Sequence, residues 1–211
     1  MKIGVICSIK YEAELLLEEL ENVVQENVEG QTFYIGQLKN KQIVFGYPSE
    51  REIRTVENIT EVMVERYQIS HLIALGFAGS VNDLTAPLNI VIANSVFSDD
   101  VPTPILSDEK LVQIFDKVYP SNVVGKIFTS AYFIDNIEAK QKISDKGAIA
   151  VDLGTISVAI IAKKYNLPFV SVSAITDNSN DTALKIYKRN EFLAAEKIVD
   201  VLISGLKSRY Y

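Results

Sequence analysis

The sequence predicts a three-layer α/β protein in which helices cover both faces of a mixed, mostly parallel central β-sheet. Short apolar runs rich in Val and Ile alternate along the chain with segments whose apolar residues recur at helical spacing. Most of these runs lack an alternating polar face, which is typical of strands buried on both sides. One pair of runs flanks a short polar turn, and such a hairpin adds antiparallel pairing. The 211 residues suit a single domain, expected over residues 1–211.

The first third of the chain predicts a strand, a helix, a hairpin and a second helix. Residues 2–8 (KIGVICS) form a β-branched run typical of a buried strand. In the helix that follows, Ala13, Leu16 and Leu20 recur near helical spacing, and the acidic Glu12 favours the positive end of the first turn. The hairpin and the second helix are predicted at 32–37 with 42–47, and at 52–67.

The rest of the chain predicts strands and helices in alternation. A strand at 71–76 ends in a small-residue loop, Gly76 to Ser80. The acidic, proline-containing segment from Ser98 to Pro104 is also expected to be a loop. The remaining strands are predicted at 88–97, 123–129, 147–152 and 169–176, and the remaining helices near 107–118, 136–143, 155–165 and 184–206.

Composition argues against several classes of partner. The formal net charge is −6 and the sequence has no Lys/Arg cluster, so the electrostatic basis for binding nucleic acid is missing. No apolar stretch reaches the roughly 18 residues expected of a membrane-spanning helix. The short N-terminal apolar run is followed at once by Lys10 and Glu12, unlike a signal peptide. We therefore expect a cytoplasmic protein with neither a membrane nor a nucleic-acid partner.

The lone cysteine and the lone histidine predict no metal or nucleophile chemistry. Cys7 lies in an apolar run, which favours a small buried side chain on a core strand. His71 opens another apolar run without a neighbouring Ser, Cys or second His, so we interpret it as structural. No metal site and no cofactor are expected.

Four segments follow predicted strands, where α/β sheets bind ligands. They are Ser8–Glu12, Gly76–Ser80, Phe133–Asp135 and Asp177–Asp181. Taken alone, Glu12 is equally well explained as an acid stabilising a helix N-terminus, and Asp177 as a residue capping a turn. The residues by themselves leave both interpretations open.

Four longer stretches narrow the choice. They are MKIGVICSIKYEAELL, ALGFAGSVNDLTAPLNIVIANSVF, FTSAYFID and AIAVDLGTISVAIIAKKYNLPFVSVSAITD. In this order and spacing, over residues 1–205, the sequence resembles the methylthioadenosine/S-adenosylhomocysteine nucleosidases of the purine nucleoside phosphorylase and uridine phosphorylase family. The resemblance implies the nucleoside phosphorylase/hydrolase fold. It also implies hydrolysis of the N-glycosidic bond of a purine nucleoside, with release of the free base.

The resemblance assigns roles to individual residues. Asp177 is the acid that protonates or hydrogen-bonds purine N7, and Glu12 is the base that activates water. The remaining substrate-binding positions are Phe133 and Ile134 for the base, Leu153 and Asp152 in the ribose-binding turn, and the small-residue loop Gly76, Phe77, Ala78 and Gly79. It further implies a homodimer, since pockets in this family are often completed by a neighbouring subunit.

Departures from the family pattern bear on two alternatives to hydrolysis, namely phosphorolysis and binding without catalysis. Gly154 replaces the second Glu of "Val-Glu-Met-Glu", Ser173 replaces an Arg, and Pro48–Arg51 replaces "Gly-Ile-Gly-Lys". Loss of the Arg and of the glycines argues against a bound phosphate, so hydrolysis is preferred over phosphorolysis. The same losses allow a non-catalytic protein that binds a nucleoside or a purine.

Overall fold

The computed structural model describes residues 1–48, 53–119 and 121–208, and the side chain of Ile53 is not described. Within these residues the chain forms ten strands and six helices. The strands are β1 (Lys2–Cys7), β2 (Glu21–Val28), β3 (Gln31–Leu38), β4 (Lys41–Gly46), β5 (His71–Ser80), β6 (Ile90–Phe97), β7 (Ile105–Leu106), β8 (Asn122–Thr129), β9 (Ala150–Asp152) and β10 (Phe169–Asp177). The helices are α1 (Lys10–Glu18), α2 (Ile53–Tyr67), α3 (Glu109–Lys117), α4 (Ile137–Asp145), α5 (Thr155–Lys164) and α6 (Ala183–Lys207).

The strands form one mixed sheet that closes on itself at one end. Its order is β10-β6-β8-β9-β5-β1-β4-β3-β2, and β10 also pairs with β5. The five strands β5, β10, β6, β8 and β9 therefore make a closed ring, from which β1, β4, β3 and β2 extend as an open sheet. Strand β1 is parallel to β4 and β5, and β5 is parallel to β10. The carboxyl ends of β1, β5 and β10 consequently lie side by side.

Helices cover both faces of this sheet, and each face has its own hydrophobic core. Val56, Ile59 and Met63 of α2 pack in one core together with residues of α5. Helices α1, α3 and α6 pack in a second core on the opposite face. Strand β1 shows the division, because Ile6 belongs to the first core and Cys7 to the second. The predicted three-layer fold class is confirmed, and so is the burial of Cys7 on a core strand.

Two strands were not predicted. Strand β2 pairs only with β3 among the described residues, and most of its side chains are exposed. Because its sequence, ENVVQENV, is polar and buries almost nothing, it carries no hydrophobic signal that predicts a strand. Strand β7 has two residues and forms by pairing with β6.

The prediction that Gly76 to Ser80 is a loop was wrong. These residues continue β5, which pairs with β10 as far as Gly79 and with β9 at Gly79 and Ser80. Two glycines in five residues suggested a turn, but here a neighbouring strand on each side keeps the backbone extended. The segment from Ser98 to Pro104 is a loop, as predicted.

None of the helices in the described residues is both long and apolar enough to cross a bilayer. The expected cytoplasmic location stays a prediction.

Gly205 of α6 allows α6 to pack closely against α3, and this contact predicts a loss of stability on substitution. A Cβ at residue 205 would collide with the Phe115 ring, which is fully buried. We expect Gly205→Ala to lower the free energy of unfolding by about 1–3 kcal/mol, because overpacking outweighs the helix preference of Ala. Urea unfolding measures the change. Ser204→Ala, on the exposed side of the same helix turn, is the control and should leave stability almost unchanged. Equal stability of the two variants would contradict this packing.

Candidate active site

The carboxyl ends of β1, β5 and β10 open into a cavity of about 190 Å³. The turn after β9, the loop before α4, the start of α6, Pro48 and residues of α2 and α5 form the rest of its wall. This is the edge of the sheet at which the sequence predicted ligand binding. Apolar side chains make up most of the wall, and several polar residues also line it, among them Ser8, Asp152, Thr155, Thr176, Asp177 and Ser179.

Asp177 ends β10 at the cavity wall, with only 2% of its surface exposed. Its Oδ1 accepts from the Ser179 backbone N–H at 2.8 Å, and its Oδ2 accepts from Thr176 Oγ1 at 2.8 Å. Burial raises the pKa of Asp177, whereas these two hydrogen bonds and the charge of Lys140 oppose the rise. A carboxyl group in this position is suited to hold a proton and to donate it to a ligand.

Gly79 provides the space that Asp177 occupies. A Cβ at this position would lie 2.9 Å from Asp177 Oδ1 and would collide with Ser179 Oγ. Ser179 has a left-handed backbone, with φ of 49°, and its buried Oγ has no hydrogen-bond partner among the described residues. Any side chain larger than hydrogen at residue 79 must therefore displace the acid or this turn.

Glu12 is not part of the cavity wall but lies directly behind it. It is fully buried, and its Oε2 accepts from the backbone N–H groups of Ser8 at 2.7 Å and of Ile9 at 3.2 Å. The Ser8 hydroxyl also donates to the Glu12 carboxylate, at 3.1 Å, and Ser8 does line the cavity. Gly76 gives Ser8 room, because a Cβ there would come within 2.9 Å of Ser8 Cβ. Glu12 thus reaches the cavity through Ser8.

Three aromatic rings form another part of the wall. Tyr187 of α6 meets Phe77 edge-on with ring centroids 6.0 Å apart, and it meets Phe133 edge-on at 6.3 Å. Phe133 keeps 39% of its surface exposed, and Ile134 beside it is half-buried. All three rings line the cavity, where an apolar ring face can stack on a planar heteroaromatic ligand.

The turn after β9 is fixed by a buried carboxylate. Asp152 Oδ1 accepts from Thr129 Oγ1 at 2.6 Å, and its Oδ2 accepts from the Thr155 backbone N–H at 3.1 Å. Burial raises the pKa of Asp152, and these hydrogen bonds oppose the rise. They hold Leu153 and Gly154 against the cavity. Among the described residues, a Cβ on Gly154 would meet Val56 alone, at 3.6 Å, so these residues leave space beside it.

The structure gathers nearly all the predicted site residues around one cavity. Nine of the ten line it: Gly76, Phe77, Ala78, Gly79, Phe133, Ile134, Asp152, Leu153 and Asp177. Glu12 is the exception, because it lies behind Ser8. The predicted segments Ser8–Glu12 and Asp177–Asp181 include Ser8 and Ser179, although the sequence does not single out either residue. Sequence reasoning missed Thr176 and Tyr187. Thr176 directly precedes the predicted acid, but nothing in the helical pattern of α6 distinguishes Tyr187 from a core aromatic residue.

The structure also shows where two departures from the family pattern lie. Ser173 is buried within β10, where its hydroxyl lies 3.2 Å from that of Ser171. Pro48 lines the cavity, whereas Ser49, Glu50 and Arg51 lie outside the described residues.

Comparison with known proteins identifies the family. A model of the phosphorylase superfamily matches residues 2–204. The 5′-methylthioadenosine/S-adenosylhomocysteine nucleosidase of Buchnera aphidicola subsp. Baizongia pistaciae is 26% identical over 231 residues, which cover 99% of this chain and 91% of that protein.

Solved structures share the fold. A 5′-methylthioadenosine/S-adenosylhomocysteine nucleosidase from S. pneumoniae, with the transition-state inhibitor MT-ImmA, matches with a TM-score of 0.92 at 23% identity, covering 98% of this chain and 99% of that one. The native futalosine hydrolase of Helicobacter pylori strain 26695 matches with a TM-score of 0.91 at 21% identity, covering 98% of this chain and 97% of that one. Because the family model extends over nearly the whole sequence, this chain belongs to the phosphorylase superfamily.

Proposed function

We propose that this protein hydrolyses the N-glycosidic bond of a purine nucleoside, such as methylthioadenosine or S-adenosylhomocysteine, and releases the free base. The observation that carries this proposal is a buried acid, Asp177, whose pKa is raised beside an aromatic-lined cavity. The curated relative from Buchnera, similar over 99% of this chain, is named for these two nucleosides.

Asp177 supplies the proton in this mechanism. Cleavage of the bond leaves negative charge on the purine, and protonation at N7 makes the purine a better leaving group. The raised pKa favours the protonated carboxyl, and Phe77, Phe133 and Tyr187 provide apolar faces for the base. The lack of a side chain at Gly79 leaves the space that the Asp177 carboxyl group occupies.

Glu12 acts on the sugar side in this proposal. Positive charge develops on the ribosyl carbon as the bond breaks, and a carboxylate stabilises it and takes up the proton of the attacking water, here by way of the Ser8 hydroxyl. Three donors, the Ser8 and Ile9 N–H groups and the Ser8 hydroxyl, orient the Glu12 carboxyl group. Ser8 carries this influence to the cavity surface.

Release of free adenine tests the function directly. The protein is incubated with methylthioadenosine or S-adenosylhomocysteine, with and without inorganic phosphate, and products are separated by chromatography. We expect adenine and the free sugar at a rate that phosphate does not change. Dependence on phosphate would favour phosphorolysis, and absence of adenine from a folded sample would contradict both reactions.

A non-catalytic binding role is the second candidate, and it is favoured by the open space beside Gly154 and by the uncharged Ser173. Without groups to hold the sugar, the cavity would retain a base or nucleoside without orienting it for attack. Calorimetry separates the two roles. Tight binding of adenine or methylthioadenosine without turnover would favour binding alone.

We also propose a homodimer that covers the cavity mouth. Tyr132 and Leu184 line the cavity yet remain 79% and 55% exposed, so one copy leaves part of the wall unpacked. Light scattering after size exclusion should give twice the 23.5 kDa of one chain. Leu184→Glu should reduce the mass to one chain, because it places a charge in the interface. A monomeric native protein would contradict the proposal.

Asp177→Asn should lower kcat roughly 10²- to 10⁴-fold, the usual contribution of a general acid. The fold should be retained, because the amide oxygen can still accept from Ser179 N–H and the Thr176 hydroxyl can turn to accept from the amide. Adenine release measures the loss. Asp181→Asn, at an exposed position nearby, is the control and should retain full activity. Full activity in Asp177→Asn would show that Asp177 is not the catalytic acid.

Glu12→Gln should also lower kcat, roughly 10²-fold or more, because the amide cannot accept a proton from water. Its oxygen can take over the bonds from Ser8 and Ile9, so the unfolding midpoint should change little. Glu14→Gln, in the exposed pair with Lys10, provides the matched control on the same helix. If both variants kept wild-type kcat, Glu12 would be a purely structural residue.

A further inference from the structure

A lysine of α4 joins two parts of the cavity wall that are distant in sequence. The Lys140 ammonium donates to the backbone carbonyl of Asn178 at 2.9 Å, across a partly buried contact. Asn178 directly follows Asp177, and α4 directly follows the loop that carries Phe133 and Ile134. One hydrogen bond therefore links the helix after the aromatic loop to the residue after the buried acid.

This helix is capped at its start, next to the loop that carries Phe133 and Ile134. Asn136 caps α4 by accepting from the Ala139 backbone N–H at 2.9 Å, and Lys140 lies one turn from that cap. The other lysines of α4 and its C-cap are engaged elsewhere. Lys142 pairs with Glu138 and Lys146 with Asp99, both on the protein surface. In the described part of α4, Lys140 is the lysine bonded to the acid's turn.

The contact between Lys140 and Asn178 also has an electrostatic effect on Asp177. Lys140 is the cation on the α4 side, whereas Asp152 lines another wall and Glu12 lies behind Ser8. Both of the latter are carboxyl groups, so Lys140 supplies the positive charge that favours the ionised form of Asp177. Burial dominates and keeps the pKa raised, but the lysine limits the rise.

We propose that Lys140 is a positioning residue, which docks the Phe133 loop against the turn after Asp177 and adjusts how readily that acid holds its proton. The kinetic part rests on the proposed hydrolysis, whereas the titration of Asp177 does not. Because the ammonium bonds the turn that follows the acid, one side chain affects both the position of the Phe133 loop and the proton affinity of Asp177.

The test compares Lys140→Met, Lys140→Arg and Lys142→Met in the full chain. Asp177 is titrated by NMR of its side-chain carboxyl carbon, with Asp177→Asn identifying the signal. Removing the cation destabilises the carboxylate, so the midpoint in Lys140→Met should move to higher pH than in the wild type. Lys140→Arg keeps the charge and should titrate near the wild type. Lys142→Met removes an equal charge from the same helix and should not shift the midpoint.

Kinetics supply the second measurement. In Lys140→Met, KM should rise roughly 3- to 10-fold, the effect of losing one hydrogen bond. The alkaline limb of kcat/KM should move to higher pH, because the acid stays protonated further up the pH scale. A Lys140→Met midpoint equal to that of Lys142→Met would overturn the proposal. A shifted midpoint in a protein that releases no base would retain the role of Lys140 and reject the hydrolysis.

Discussion

The site depends on one constraint: the Asp177 carboxyl group is buried at the end of β10, against a glycine of the neighbouring strand. Asp177 can lie there because Gly79 of the paired strand leaves the space open, and burial raises its pKa. Two hydrogen bonds orient the carboxyl group without neutralising it, because neither donor is charged. An acid that binds a proton more readily than an exposed Asp requires this balance between desolvation and partial hydrogen bonding.

The sheet topology places the second carboxylate. Strands β1, β5 and β10 are parallel neighbours, so the turn after β1 and the end of β10 adjoin opposite sides of the extended end of β5. Gly76 adjoins Ser8 on one side, and Gly79 adjoins Asp177 on the other. Residues Gly76–Gly79 thus lie between Glu12 and Asp177, which are 165 residues apart in the chain. The same residues form part of the cavity wall.

The fold and most of the cavity could be predicted from the sequence, because buried strands and amphipathic helices carry strong hydrophobic patterns. Strand β2 could not, since an exposed edge strand is held by backbone pairing that leaves no trace in side-chain periodicity. The extension of β5 was missed for a related reason: its glycines serve close approach, whereas local propensity suggests a turn. Tyr187 and Lys140 contact the site across long sequence separations, and only the folded chain brings them there.

The central claim is that Asp177 and the Ser8–Glu12 pair lie on opposite sides of one base–sugar linkage, and a crystal structure with adenine bound tests it most directly. We predict that the base packs among Phe77, Phe133 and Tyr187, with N7 about 2.6–3.2 Å from a carboxyl oxygen of Asp177. Its N9 should then point into the space next to Ser8. Adenine bound with N7 turned away from Asp177, or bound outside this cavity, would contradict the account.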